Sequence, residues 1–267
     1  MLMERGAGPV PMIRDPARWA AARLGLVPRI ARLEDPAALR AALCDATHVV
    51  STAHARYAPM VIAAAPPNAR LVFLGSTRRF TRWPDEHGNG VIAGEAGFLA
   101  SRRAGVMLHP TMIYGAQGED NVQRLASLLR RVPVLPLPNG GAALVQPIHQ
   151  DDVTRAVLAA LDRDWDGPHT IVIAGPRAIS YAGFVRAVAA AAGIRPPRIV
   201  PCPAAPLITL AGLTRFLPFL PTVRTAEVRR LLEDKAFDIG PMQAMLGVDP
   251  MPLEAGLART FATPHNA

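Results

Sequence analysis

Leu108-His109-Pro110-Thr111-Met112-Ile113-Tyr114-Gly115 and Gln146-Pro147-Ile148-His149-Gln150-Asp151-Asp152-Val153 are the two stretches whose reading decides the fold. The first closes a strand expected over Gly105 to Tyr114. The second is a strand, from Leu144, that turns into a helix expected from Asp151 through Leu161. Upstream, strand and helix signals alternate, the pattern of a parallel sheet covered by helices. Val10 to Arg14 is a short apolar run ended by Asp15-Pro16, a helix start with proline at its first position. Val27 to Leu33 reads as the next strand, Asp35-Pro36 opens a second helix, and Thr47 to Thr52 is again a strand. Met60 to Ala65 looks helical, and Leu71 to Leu74 is continuously apolar, as in strands buried on both faces.

Working toward the carboxy terminus, Arg78 to Asn89 is polar and carries Pro84 and Gly88, so a loop is expected there. Val91 to Arg103 reads as a helix. Asp120-Asn121 caps another, with Val122, Leu125, Leu128 and Leu129 at helical spacing. His169 to Ala174 is a strand. From Pro176 onward the chain is proline-punctuated and expected to be mostly helical. No internal repeat is evident.

Composition narrows the functional classes. A chain of 267 residues, 50% hydrophobic and 19% charged, buries a core well and is not disordered. The net charge is +8, yet Lys235 is the single lysine; the arginine excess and the 27 prolines fit a GC-rich coding bias. The arginines are scattered and only 5% of residues are aromatic, which argues against a nucleic-acid surface. Cys44 and Cys202 make neither a disulfide framework nor a metal site. The start lacks the apolar run of a signal peptide, so a cytoplasmic location is expected. Ala204 to Pro221 is apolar but interrupted by Arg215, Pro206 and Pro218, short of the ~20 residues a spanning helix needs. It reads as a packed helix, with a peripheral membrane contact as the rival.

The two opening stretches, in that order and separation, resemble the extended short-chain dehydrogenase/reductase superfamily, and within it the NAD-dependent epimerase/dehydratase group. The stretch Leu231 to Ile239 resembles a subgroup similar to the 39-kDa accessory subunit of respiratory complex I. The resemblance implies an α/β protein with a Rossmann-like parallel sheet and a smaller, mostly helical substrate lobe. Residues 1–175 would be the NAD(P)-binding domain, with 116–145 as a substrate-side insertion, and 176–267 the lobe. In that register Val10 to Arg14 matches the second strand of the fold. The first strand, and the glycine-rich turn that lets backbone N–H groups and a helix N-terminus approach the pyrophosphate, have no counterpart. Either about 30 residues of a strand–turn–helix unit lie upstream of an incorrect start codon, which we favour, or the chain is a degenerate paralogue.

The family's Tyr-x-x-x-Lys dyad, in which lysine lowers the phenol's proton affinity, is also missing. Four residues after Tyr57, Tyr114 and Tyr181 stand Val61, Gly118 and Val185. The family register puts His87 near the tyrosine position and Val91 near the lysine position, so His87 is the candidate proton carrier, with no orienting partner identifiable. Ser76 and Thr77 fall where the family hydrogen-bonds the reacting oxygen. Ser51, Thr52, Ala53 and His54 fall where its backbone passes the cofactor, and His109-Pro110 replaces its usual Arg-Pro. Arg14 stands where an acidic residue would hold the NAD ribose, which favours the phosphate of NADP; the implied cofactor is therefore NADP or NAD. Tyr114, Asn121, Gln146 and His149 are expected on the substrate side, and Asp152 as the cap of the helix after His149.

The resemblance implies hydride exchange between NAD(P) and a small hydroxyl- or carbonyl-bearing substrate, such as a nucleotide sugar. The competing expectation is a non-catalytic nucleotide-binding or assembly protein with a respiratory-complex contact.

Overall fold

The computed structural model describes residues 2–3, 6, 8–115, 121–204, 229 and 232–262. In chain order the elements begin β1 (Met12–Ile13), α1 (Pro16–Ala22), β2 (Arg29–Ile30), α2 (Pro36–Leu43), β3 (His48–Ser51), α3 (Ala58–Ala64), β4 (Arg70–Leu74), α4 (Glu86–Ser101) and β5 (Gly105–Pro110). They continue with β6 (Ile113–Tyr114), α5 (Asn121–Leu129), β7 (Val134–Pro138), β8 (Leu144–Val145), β9 (Ile148–His149), α6 (Gln150–Asp162), β10 (Pro168–Ile173), β11 (Ile179–Ser180), α7 (Tyr181–Ala191), β12 (Arg198–Cys202), α8 (Gly240–Leu246) and α9 (Leu253–Ala262). Two compact units result. One comprises Met1–Ser76, Glu86–His109 and Val157–Ile171; the other comprises Thr77–Asp85, Pro110–Ala156 and Val172–Ala267.

The first unit is built on a parallel sheet in the order β10-β5-β4-β3. The α/β, Rossmann-like class expected from the alternation is the one observed. Helix α2 starts where the sequence signals it: Asp35 accepts from the Ala37 and Ala38 N–H groups, and Pro36 holds the first turn. Strand β5 is buried throughout and β4 along its centre, whereas β3 alternates, with Val49 buried and Val50 exposed. Beneath the sheet, Leu39, Val61, Leu71, Phe73, Phe98 and Met107 form the core, with Phe73 edge-on to Phe98.

Among the described residues, β1 and β2 form a separate parallel pair, in register Met12 with Arg29 and Ile13 with Ile30. This pair and the four-stranded sheet are separate among the described residues, and each has unpaired edges. Val27 and Ile30, 86% and 63% exposed, add uncovered apolar surface at the smaller sheet.

The expected loop over Arg78 to Asn89 is corrected. Thr77–Phe80 forms a 3-10 turn and α4 begins at Glu86, so His87 lies in a helix. Gly88, expected in the loop, lies inside α4, and three later glycines of that helix form a packing stripe. A Cβ on Gly90, Gly94 or Gly97 would meet His54, the Ala55 carbonyl or Pro59, respectively, within 3 Å. Tertiary approach between α4 and the turn Ala55–Tyr57 thus overrides local propensity.

In the second unit, β6 pairs with β9 in parallel and β8 with β11 antiparallel. Tyr114, Val122, Phe184, Val185, Val188 and Leu257 are at the centre of its core. The region after Pro176 is not only helical, because β12 pairs in parallel with β7 over five residues. Pro136, Pro138 and Pro201 mask this ladder in the sequence; proline is tolerated where a strand's N–H side is not needed. After Leu231, the chain is tied down residue by residue. Glu233 accepts from the Thr81 hydroxyl, Asp234 accepts from Leu144 N, Lys235 N donates to Leu144 O, and Phe237 N donates to Gln146 Oε1. The apolar stretch Ala204 to Pro221, expected as a packed helix, lies outside the described residues apart from Ala204, as does the Asp120 cap. No helix of the described residues is long and apolar enough to cross a membrane.

Candidate functional site

In parallel α/β sheets, chemistry collects beyond the carboxyl ends of the strands. In the first unit those ends carry the expected groups. β3 runs out into Ser51, Thr52, Ala53 and His54; β4 runs out into Gly75 and Ser76. Arg14 is exposed directly after β1.

His54 begins the turn Ala55–Tyr57, and its Nδ1 accepts from Arg56 N at 3.1 Å and from Arg56 Nε at 3.3 Å. A nitrogen that accepts two N–H groups carries no proton of its own, so the neutral ring holds its proton on Nε2. Arg56 in turn binds Glu86 at 2.9 Å. The His54 ring packs edge-on against His87, with centroids 4.3 Å apart and planes at 80°. Sequence reasoning gave His87 to proton transfer and His54 to the cofactor side, without joining them. Nothing in their spacing reveals the pairing, which depends on the glycine face of α4.

A second polar pair lies deeper. His109 and Glu95 are 1% and 4% exposed, and His109 Nε2 lies 3.1 Å from Glu95 Oε2. Ser76 N donates to His109 Nδ1 at 3.1 Å, so the ring is oriented from both sides. Gly75 is obligatory beside it, since a Cβ there would sit 2.4 Å from Nδ1. Glu95 was not singled out from the sequence. Its position one turn after Val91 on a mostly apolar helix is the signal that could have found it.

The candidates in the second unit are chiefly engaged with backbone. Thr77 Oγ1 donates to the Pro110 carbonyl at 3.1 Å, and Asn121 Nδ2 to Ile113 O at 3.1 Å. Gln146 uses both ends of its amide, donating to Gly175 O at 2.8 Å and accepting from Phe237 N at 2.7 Å. Tyr114 is buried, packs edge-on against His149 and faces the Leu253 carbonyl at 3.5 Å. Burial, reinforced by Asp152 and Glu254, raises its phenol's proton affinity far above the ordinary value, so Tyr114 stays protonated. Asp152 is not the helix cap expected of it. It lies within α6, fully buried, pairing with Arg155 and accepting from Met251 N at 2.8 Å.

His149 is buried, and its Nδ1 accepts from Asp151 N at 3.2 Å. Burial lowers its pKa, with Asp151 and Asp152 opposing the shift. Because the folded value is depressed, the unfolded chain binds more protons below about pH 6.5, and stability falls as pH drops through that range. A His149→Gln variant is therefore expected to lose stability less steeply than the parent between about pH 6.5 and 5. Urea midpoints at several pH values measure this; identical slopes for the two proteins would contradict it.

Among the described residues no group of three or more His, Cys, Asp or Glu side chains gathers as a metal site. No family model matches the sequence, and no curated protein matches it. Solved structures do match. An NADPH-dependent quinone oxidoreductase from Escherichia coli, complexed with NADPH, superposes with a TM-score of 0.72 at 18% identity, over 94% of this chain and 90% of its own. MoeE5 in complex with UDP-glucuronic acid and NAD gives 0.71 at 18% identity, over 98% and 92%. A nucleoside-diphosphate-sugar epimerase from Pseudomonas aeruginosa gives 0.71 at 18% identity, over 98% and 90%. The chain accordingly shares, over nearly its whole length, the fold of these three structures.

Proposed function

We propose that this protein is an NAD(P)-dependent oxidoreductase of the epimerase/dehydratase kind that works without the tyrosine–lysine dyad. The observation that carries the reading is that Ser51 and Thr52 stand at the end of β3 and Ser76 just after the adjacent β4, with His54 packed on His87 in the same unit, in a chain that shares the fold of structures solved with NADPH or NAD. Small and hydroxylated residues at the ends of β3 and β4 fit a ribose and nicotinamide passing over the sheet. Gly75 and Gly90 let the backbone pack directly on the His109 and His54 rings. When bound, the dinucleotide supplies hydride chemistry at a hydroxyl or carbonyl carbon. Ser51 to Ala53 would hold its ribose, Arg14 a 2′-phosphate, Ser76 the substrate oxygen and His87 the exchanged proton. The Thr77 hydroxyl, already donating to Pro110, acts on the turn rather than on substrate. Substrates of the nucleotide-sugar or small-carbonyl class are the ones we favour.

The pyrophosphate needs more than these residues offer. Among the described residues β1-β2 and β10-β5-β4-β3 are separate sheets, and we infer that one further parallel strand joins them between β1 and β3. Translating the coding sequence upstream of Met1 tests this first; an in-frame stop before any glycine-rich motif would refute it. In a chain so extended, titration calorimetry is expected to show NADPH bound at least about tenfold tighter than NADH, and Arg14→Ala to remove most of that preference. Binding of neither nucleotide would refute the functional reading; equal affinities would refute the role of Arg14.

One observation favours a second reading, a nucleotide-binding assembly protein without catalysis. The single lysine, Lys235, is held through its backbone at β8 in the other unit and lies on no helix with a tyrosine four residues before it. Nucleotide binding with no turnover of any carbonyl tested would support that alternative.

A further inference from the structure

We propose that His54 and His87 form one proton-carrying pair, in which His87 holds the exchangeable proton and His54, pinned by Arg56, stays neutral and fixes the His87 ring. This rests on the functional reading above, because it names the group that stands in for the tyrosine–lysine dyad, with His54 as a positioning residue.

Arg56 and α4 hold His54. Arg56 donates to its Nδ1 through both main chain and guanidinium. Protonating that nitrogen would break both bonds and set a cation against a cation. The His87 ring lies edge-on at 4.3 Å. The α4 backbone lies close on another side, where a Cβ on Gly90 would come within 2.8 Å of His54 Cε1.

Around the pair, the turn Ala55–Tyr57 contributes Arg56, whose guanidinium is bound by Glu86 from the first turn of α4. Tyr57 directs its hydroxyl to Glu34, and α3 has no ionisable side chain. Two imidazolium rings this close repel, so the pair takes up one proton readily and the second with difficulty. The first goes to His87, because Arg56 guards His54. An imidazole titrates near neutrality, whereas an isolated tyrosine does not, so the pair exchanges a proton without lysine.

The test is histidine-labelled NMR titration of the full chain without nucleotide, so its outcome is separate from that of the binding experiment. The wild type is expected to show His87 titrating near neutrality and His54 at least about one pH unit lower. His87→Gln should raise the His54 midpoint. His54→Gln should release His87 into a mixture of both ring tautomers. Gly90→Ala, which displaces the His54 ring while keeping both imidazoles, should narrow the separation between the two midpoints. The other five histidines report whether each variant is folded. Equal midpoints for His54 and His87, unmoved by substitution of either in variants whose other histidines are unchanged, would overturn the proposal.

Discussion

Gly94→Ala is expected to lower the stability of the protein by about 3 kcal/mol, the upper range for forcing an extra carbon into a packed contact. The added Cβ would lie 1.9 Å from the Ala55 carbonyl oxygen, 2.4 Å from the carbonyl carbon and 3.1 Å from Arg56 N. All three are backbone atoms, so no rotamer change relieves the overlap; α4 and the turn Ala55–Tyr57 must separate. Gly97→Ala should be milder, because its nearest neighbour is the Pro59 side chain. The turn that Gly94→Ala displaces is also the one that begins with His54. The same substitution is therefore expected to disturb the imidazole pair at any temperature where the variant remains folded. Urea denaturation measures the first effect. A loss below about 0.5 kcal/mol, the size of an ordinary surface change, would mean that the helix and the turn are not packed as described.

The second large effect is at Glu95. Replacing it by alanine leaves His109 buried opposite a cavity, and removing one member of a buried pair typically costs 3–5 kcal/mol. The lower end, about 3 kcal/mol, is expected because an imidazole can remain neutral. Glu95→Gln keeps an acceptor facing Nε2 and should cost about 1 kcal/mol. Replacing both residues by leucine should recover much of the loss of Glu95→Ala, since a buried polar pair contributes little net stability over apolar side chains of similar size. A double-mutant cycle expresses this as a coupling energy. Additive losses from Glu95→Ala and His109→Ala would show that the two side chains act independently, against the 3.1 Å approach between them.

The parts of this molecule that could be read in its sequence are those decided locally. Apolar runs at Leu71 to Leu74 and Gly105 to Pro110 are strands because nothing else buries two faces at once. Asp35-Pro36 starts a helix through its own cap. What escaped reading depends on contacts between distant segments. The start of α4 at Glu86 reads as loop, and the packing of its glycines on the turn at Ala55 is not visible in the sequence. The β7–β12 ladder is hidden by prolines that a two-stranded parallel edge tolerates. Asp152 looks like a helix cap, yet its carboxylate reaches Met251 N near the start of α9. The site divides the same way. Strand-end positions such as Ser51 and Ser76 follow from the register of the sheet, whereas the His54–His87 pair and the Glu95–His109 pair each join segments that no spacing rule connects.

The central claim is that the strand ends of the first unit are a dinucleotide site whose pyrophosphate grip belongs to a strand between β1 and β3. Titration calorimetry with NADPH, run on the 267-residue chain and on the upstream-extended chain side by side, tests it most directly. The account expects the extended chain to bind and the shorter one to bind at least tenfold more weakly, a difference of about 1.4 kcal/mol or more. Equally tight binding by the 267 residues alone would contradict it.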